Sequence, residues 1–183
     1  MRPAPPPPPR PRRQSAAGAV PPDPGTTRIE REHFLLHAPF RWVAEPGDNP
    51  LEFEFRNQTL PEQLIVTVLL ARAPVEGDDA RRVVAQDLAS KRLDAIARVS
   101  NGKAVHSPVE LRGGSGQAEA RCVAVDEAQR VRLAFVVRVA ATKVVTVALT
   151  RYVLEEVGVP FDVTAGLIFD MLEVKNPNGL PAA

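Results

Sequence analysis

The sequence predicts an α+β domain, an antiparallel β-sheet of about six to seven strands with two main helices packed on it. Three observations carry this. Short apolar runs alternate with polar residues at a period of two through much of the chain. Two longer segments recur at helical spacing instead, and the connections between the later strands are short enough to demand antiparallel pairing. Of 183 residues 19 are proline, ten of them in the first 24, which leaves a folded part of ordinary single-domain size. The domain is expected over residues 28–176, between a disordered Pro/Arg-rich leader (1–27) and a flexible C-terminal tail (177–183).

In the leader, the five prolines 5–9 have fixed φ and no amide donors, so they favour polyproline II and form no core. Arg2, Arg10, Arg12 and Arg13 make it locally basic. A solvated spacer is the favoured reading, and an adaptor for RNA or an acidic partner is the alternative. No apolar stretch follows the positive start, no cysteine follows it for a lipid anchor, and no run is long enough to cross a membrane. The expected compartment is therefore the cytoplasm.

The first strand is expected at His33–Ala38, ended by Pro39, with Phe40 and Trp42 in a turn. Leu51, Phe53 and Phe55 alternate with Glu52, Glu54 and Arg56, a strand with one wet face. Leu64–Leu70 is apolar on both parities and reads as a central strand covered on two sides. A helix follows from Asp79 to Val99, capped by Asp78 or Asp79. Ala85, Ala89, Leu93 and Ile96 form its apolar stripe, and Asn101-Gly102 a left-handed stop. On its wet face Asp87–Lys91 and Asp94–Arg98 are i, i+4 pairs. Four meander strands come next: Val105–Leu111, Ala118–Val125 after the turn at 113–116, Val131–Val139, and Val144–Tyr152 after a hairpin at 140–143. The second helix runs from Pro160 to Val174, with Asp162 and Lys175 complementing its ends and Phe161, Ala165, Ile168 and Leu172 facing the sheet.

The residues that could carry chemistry do not assemble into a motif. A formal charge of +1 gives no field for DNA, and the lone Cys122, flanked by Ala and Val, reads as buried filler. His33 and His37 on one strand would stand about 13 Å apart, too far to share a metal, and His106 is isolated. The Gly113-Gly114-Ser115-Gly116 segment lacks the Gly at 117 of a nucleophile elbow and the Lys of a phosphate loop. Arg121, Arg130, Arg132 and Arg138 offer a basic patch as one reading, but Asp126, Glu127, Glu155 and Glu156 lie near in sequence to neutralise it, and a solvated sheet edge is the favoured one. No catalytic, cofactor-binding or metal-binding residue is assigned, and no enzyme activity is expected.

Several segments together resemble the PsbP-like fold, from Glu32 to Lys175: HFLLHAPFRW, the amphipathic helix after the third strand, RGGSGQAEARCVAV, VRLAFVVRVAATKVVTVALTRY and VPFDVTAGLIFDMLEV. The fold is known from extrinsic proteins of photosystem II, a Ran-binding import factor, bacterial lipoproteins and the Eag chaperones of type VI secretion effectors. The resemblance implies a PsbP-like sandwich and a non-catalytic protein-binding role. Its sharpest form is a bacterial cytosolic Eag-like chaperone for an apolar helix of a client protein. Apolar residues on both parities of Leu64–Leu70 and Val144–Val147 exceed what two helices cover, so the surplus is expected to meet a client or a second copy in a homodimer.

Overall fold

The computed structural model describes residues 25–114, 116–156 and 158–176. The leader up to residue 24 and the tail from residue 177 lie outside the described residues. The described chain runs β1 (Thr26–Glu30), β2 (Phe34–Pro39), β3 (Trp42–Ala44), β4 (Glu52–Asn57), β5 (Glu62–Leu70), α1 (Asp78–Val99), β6 (Val105–His106), β7 (Glu110–Gly114), β8 (Gln117–Asp126), β9 (Val131–Val139), β10 (Lys143–Arg151), α2 (Phe161–Asp170) and β11 (Glu173–Val174). An eight-stranded sheet has the path β3-β4-β5-β10-β9-β8-β6, with β7 also on β8, and a three-stranded sheet has the order β1-β2-β11. Every pairing between these strands is antiparallel. The expected α+β architecture with two helices on an antiparallel sheet is the one observed.

The large sheet has a core on each face. Leu64, Val66 and Val68 of β5, Val145, Val147 and Leu149 of β10, and Ala134 and Val136 of β9 share one face. That face is covered by the small sheet, through Phe34, Leu36 and Ala38, and by α2, through Phe161, Ala165 and Ile168. On the other face α1 lays Ala85 and Ala89 over Ala118, Ala120, Phe135 and Val137. Alanine against alanine lets helix and sheet approach closely.

Several local expectations are corrected. Trp42 sits in β3 rather than in a turn, because it pairs with Asn57 of β4; its indole also donates to the Pro39 carbonyl at 2.7 Å and its amide to the Thr27 hydroxyl at 3.1 Å. β5 is covered on one face only. Leu64, Val66 and Val68 are buried, while Ile65 and Thr67 are half-buried and Leu69 is 48% exposed, since α1 lies over β7–β9 and leaves this flank open. The expected strand Val105–Leu111 is split into β6 and β7 at Pro108, which has no amide to offer the ladder. Ser107 bridges the gap, its amide reaching the Val123 carbonyl at 2.9 Å and its hydroxyl accepting the Val123 amide at 3.2 Å.

Helix α1 is capped by Gly77 at φ 79°, with neither aspartate bonding the terminal amides; Asp78 and Asp79 lie in the first turn and complement its positive end. Its stop is as expected: Asn101 and Gly102 take φ of 53° and 73°, and the Gly102 amide reaches Ala97 O at 2.7 Å. Of the two pairs on its wet face, Asp87–Lys91 closes at 2.7 Å, whereas Arg98 bonds the carbonyl of Asp94 rather than its carboxylate. Helix α2 ends at Asp170, four residues early. Leu172 is still buried, but from the turn, and Val174 pairs with Phe34 in β11. Its N-terminal amide is held by Glu156 at 3.1 Å, and Arg138 donates to the Phe169 carbonyl of its last turn and to Leu172 O just beyond; Lys175 bonds Glu30 instead, at 3.0 Å.

Candidate binding groove under helix α1

The close contact of Ala85 and Ala89 belongs to the first half of α1. In the second half, Leu93 and Ile96 are larger and only half-buried, and Ile96 borders a space whose sheet side includes the small Ala124. Bulk on the helix facing a small residue on the sheet leaves space between them. The result is an apolar cavity of about 380 Å³ between α1 and the ends of β8 and β9, with Ile96, Val99, Ala124, Val131 and Leu133 among its walls. Such a volume lies in the range of small ligand sites.

Hydrogen bonds fix the far end of this cavity. The Ser100 hydroxyl bonds Ala97 O and accepts the Ala104 amide, both at 3.2 Å. Gln129 donates its side-chain amide to Val99 O at 3.4 Å, while its backbone amide reaches the Asp126 carboxylate at 3.1 Å. The rim is apolar and open: Val99 is 72% exposed, and Val105, next to the lining residue Ala104, 73%. Arg92 enters the cavity wall from the other end of the helix segment. Burial pushes its pKa below the usual arginine value, against a distant pull from Glu52.

The arginines singled out in the sequence are placed differently from one another. Arg130 pairs with Glu155 and Arg132 with Glu156, as their neighbours in sequence implied. Arg121 and Arg138 are not on a solvated edge. Both are half-buried on Glu119, an acid the sequence reading did not consider; Arg121 also meets Asp170 at 2.8 Å and lies 5.8 Å from the Phe169 ring centre. Burial disfavours the Arg121 charge, but Glu119 and Asp170 more than offset it and hold its pKa above the ordinary value. Arg121 and Arg138 tie α2 to the sheet, and with all four arginines paired to acids no basic patch forms among the described residues.

A fully buried pair was missed altogether. Arg151, at the end of β10, meets Glu62 at the start of β5 at 2.6 Å, with no exposed side-chain surface on either residue. Arg151 also bonds Glu156 at 3.2 Å and Val159 O at 3.1 Å, and lies 5.3 Å from the Phe161 ring centre; Glu62 receives the Asn57 amide at 3.0 Å. The only hint in the sequence was an Arg ending one apolar strand and a Glu opening another.

Cys122 is buried, and its thiol contacts are the carbonyl and hydroxyl of Ser107 at 3.3 and 3.6 Å and the carbonyl of Val123. His106 is exposed and meets the Ser107 carbonyl, His37 lies in β2, and His33 just precedes that strand. Among the described residues no three metal-ligating side chains converge. Gly114 and Gly116 flank the β7–β8 turn, whose residue 115 is outside the described residues. No helix among the described residues is long and apolar enough to cross a membrane.

No family model and no curated protein matches this chain. Among solved structures, it matches cyanobacterial PsbP (CyanoP) from Synechocystis sp. PCC 6803 with a TM-score of 0.58 at 17% sequence identity, over 88% of this chain and 98% of that one. The fold is PsbP-like. A protein from Bacteroides thetaiotaomicron VPI-5482 matches at a TM-score of 0.48 and 14% identity, over 82% of this chain and 48% of its own. In the PsbP-like frame, the small sheet and α2 close one face and α1 half-closes the other, so the apolar cavity falls on the half-closed side.

Proposed function

We propose that this protein is a non-catalytic binding module whose cavity under the C-terminal half of α1 receives an apolar segment of a partner protein. The observation that carries this reading is the cavity itself: apolar walls, an open rim at Val99 and a volume fit for one or two large side chains. The polar networks of Arg121, Arg138 and Arg151 are each occupied in joining elements of the fold and offer no free charge to a partner, whereas the cavity offers apolar walls. In its most specific form the partner is an apolar helix of a client, as for the Eag-type chaperones, met in the cytoplasm. A helix brings its apolar anchors at i, i+3 and i+4, a spacing that suits an elongated cleft beside another helix.

The test uses a labelled apolar helical peptide of about 20 residues and fluorescence anisotropy. Ala95→Trp places an indole in the cavity from an exposed helical position, so the fold should persist while affinity falls by about tenfold or more. No binding to the native chain, or binding indifferent to Ala95→Trp, would remove the proposal. Homodimerisation is a second reading, favoured by one observation: Val163 and Leu167 on α2 and Met171 just past its end recur every four residues and are 49%, 45% and 55% exposed. Sedimentation of Leu167→Glu beside the native chain decides it, since a dimer using that stripe would dissociate.

A further inference from the structure

The arginines that are not fully exposed have one thing in common, with one exception. Arg81 meets Asp78, Arg121 meets Glu119 and Asp170, Arg132 meets Glu156, Arg138 meets Glu119 and Arg151 meets Glu62. Arg31 lies against the rings of Phe53 and Phe55 and bonds the Glu30 carbonyl. Among the described residues, Arg92 alone of this set has neither an ion pair within 4 Å nor a hydrogen bond, and it lines the apolar cavity. A guanidinium carries five donors, and those of Arg92 remain open to solvent at the cavity wall, free to take an acceptor that a partner brings; among the described residues the buried side-chain nitrogen without a partner is Arg81 Nε.

The cavity is therefore polarised along its length. Arg92 and Val99 are seven residues apart on α1, about 10 Å along the helix axis. The Asp126 carboxylate belongs to the Val99 end, where it holds the Gln129 amide while Gln129 reaches Val99 O. Apolar side chains occupy the space between. Glu52, the acid nearest in influence to Arg92, is exposed on β4 and forms no ion pair with it. A cation at one end, an anion at the other and an apolar middle is a complement to a specific chemistry. We propose that the partner segment carries an Asp or Glu at the end of its apolar run, and that Arg92 receives this carboxylate as a paired, charge-assisted contact. The inference rests on the reading of the cavity as the binding site and adds to it a polarity and an orientation, carboxylate toward Arg92 and away from Asp126.

Three ten-carbon probes on the full chain separate the two. Decanoate, decanol and decylamine share an apolar tail and differ in head group, and amide resonances of Ala95, Val99 and Ala124 report occupancy of the cavity. Decanoate should saturate at a concentration roughly tenfold or more below decanol, with decylamine weakest. Arg92→Gln should bring decanoate to the level of decanol, and Arg92→Lys should restore part of the preference. The melting temperature of Arg92→Gln should not fall, because the native side chain has no partner to lose; a cost there would mark Arg92 as structural and overturn the assignment. Equal binding of decanoate and decanol, or a preference that survives Arg92→Gln, would refute the carboxylate while leaving the apolar site intact. If none of the probes moves these resonances, the cavity is not a binding site and both readings fall.

Discussion

Glu62→Gln tests whether the buried Arg151 pair is a point on which the fold depends. The substitution keeps the volume and the Asn57 contact but removes the charge opposite a guanidinium with no exposed surface. Breaking a buried ion pair by removing one partner costs about 3–5 kcal/mol, because the remaining charge stays desolvated. Arg151 retains Glu156 at 3.2 Å and the Val159 carbonyl at 3.1 Å, which places the expected loss at the low end, about 3 kcal/mol. For a domain of this size that lowers the melting temperature by about 6–12 °C. Calorimetry or urea unfolding followed by circular dichroism measures it. The double variant Glu62→Leu with Arg151→Met removes both charges and should be milder than Arg151 left alone, with a coupling of about 2 kcal/mol or more in the double-mutant cycle. A Glu62→Gln protein within about 1 kcal/mol of the native chain, or a double variant as unstable as the summed singles, would refute the argument.

Ile168→Ala should cost about 2–5 kcal/mol in urea unfolding, since Ile168 is fully buried between α2 and the large sheet; Leu133→Ala should cost distinctly less, because Leu133 is half-buried and already borders a cavity. Stability should fall as pH drops through and below the ordinary glutamate range near 4.3. The Lys175 bond and Arg28 hold the Glu30 carboxyl below that range; the Glu155 backbone and Arg130 do so for Glu155; and for Glu156 the Phe161 amide and Arg132 outweigh an opposing desolvation. A carboxyl with its folded pKa depressed stabilises above the unfolded pKa and loses that contribution as it protonates, so thermal melts between pH 6 and pH 3 should show a decline with the sign of proton uptake on unfolding. Cys122 should react with a thiol reagent only on the timescale of unfolding, because it is buried against Ser107; prompt labelling in native buffer would contradict its placement.

The elements legible in the sequence are those whose signal is local. The alternation of Phe53 and Phe55 with Glu52 and Glu54, the hairpin at 140–143 and the Asn101-Gly102 stop each needed only neighbouring residues. β1, β3 and β11 have five, three and two residues and take their conformation from partners distant in the chain, so no periodicity announces them. The last turn of α2 was overextended because Leu172 continues a spacing of four and is buried either way. The groove was hidden for a related reason. Its apolar residues were visible, but the space lies between Ile96 and Val99 of α1 and Ala124, Val131 and Leu133 of the sheet, a juxtaposition of residues on different elements to which the pairing of β8 with β9 contributes. Arg92 carries no signal of its own on a charged helical face; its place in the cavity wall, together with the absence of an ion pair or hydrogen bond to it among the described residues, distinguishes it.

The order of the large sheet also dictates how the chain must come together. β8, β9 and β10 follow one another through short turns, whereas β10 meets its other neighbour, β5, across the whole insertion of α1 and β6–β9. Residues paired along that seam, from Lys143 with Leu70 to Arg151 with Glu62, are separated by up to 89 positions. Closing so long a loop costs entropy before any contact repays it, while the meander needs only local closure. Folding should therefore begin in β8–β10 and be limited by the arrival of β5. The charges of Arg151 and Glu62 lose water only when that seam zips shut, so the pair acts late, as a latch that slows opening more than it speeds assembly.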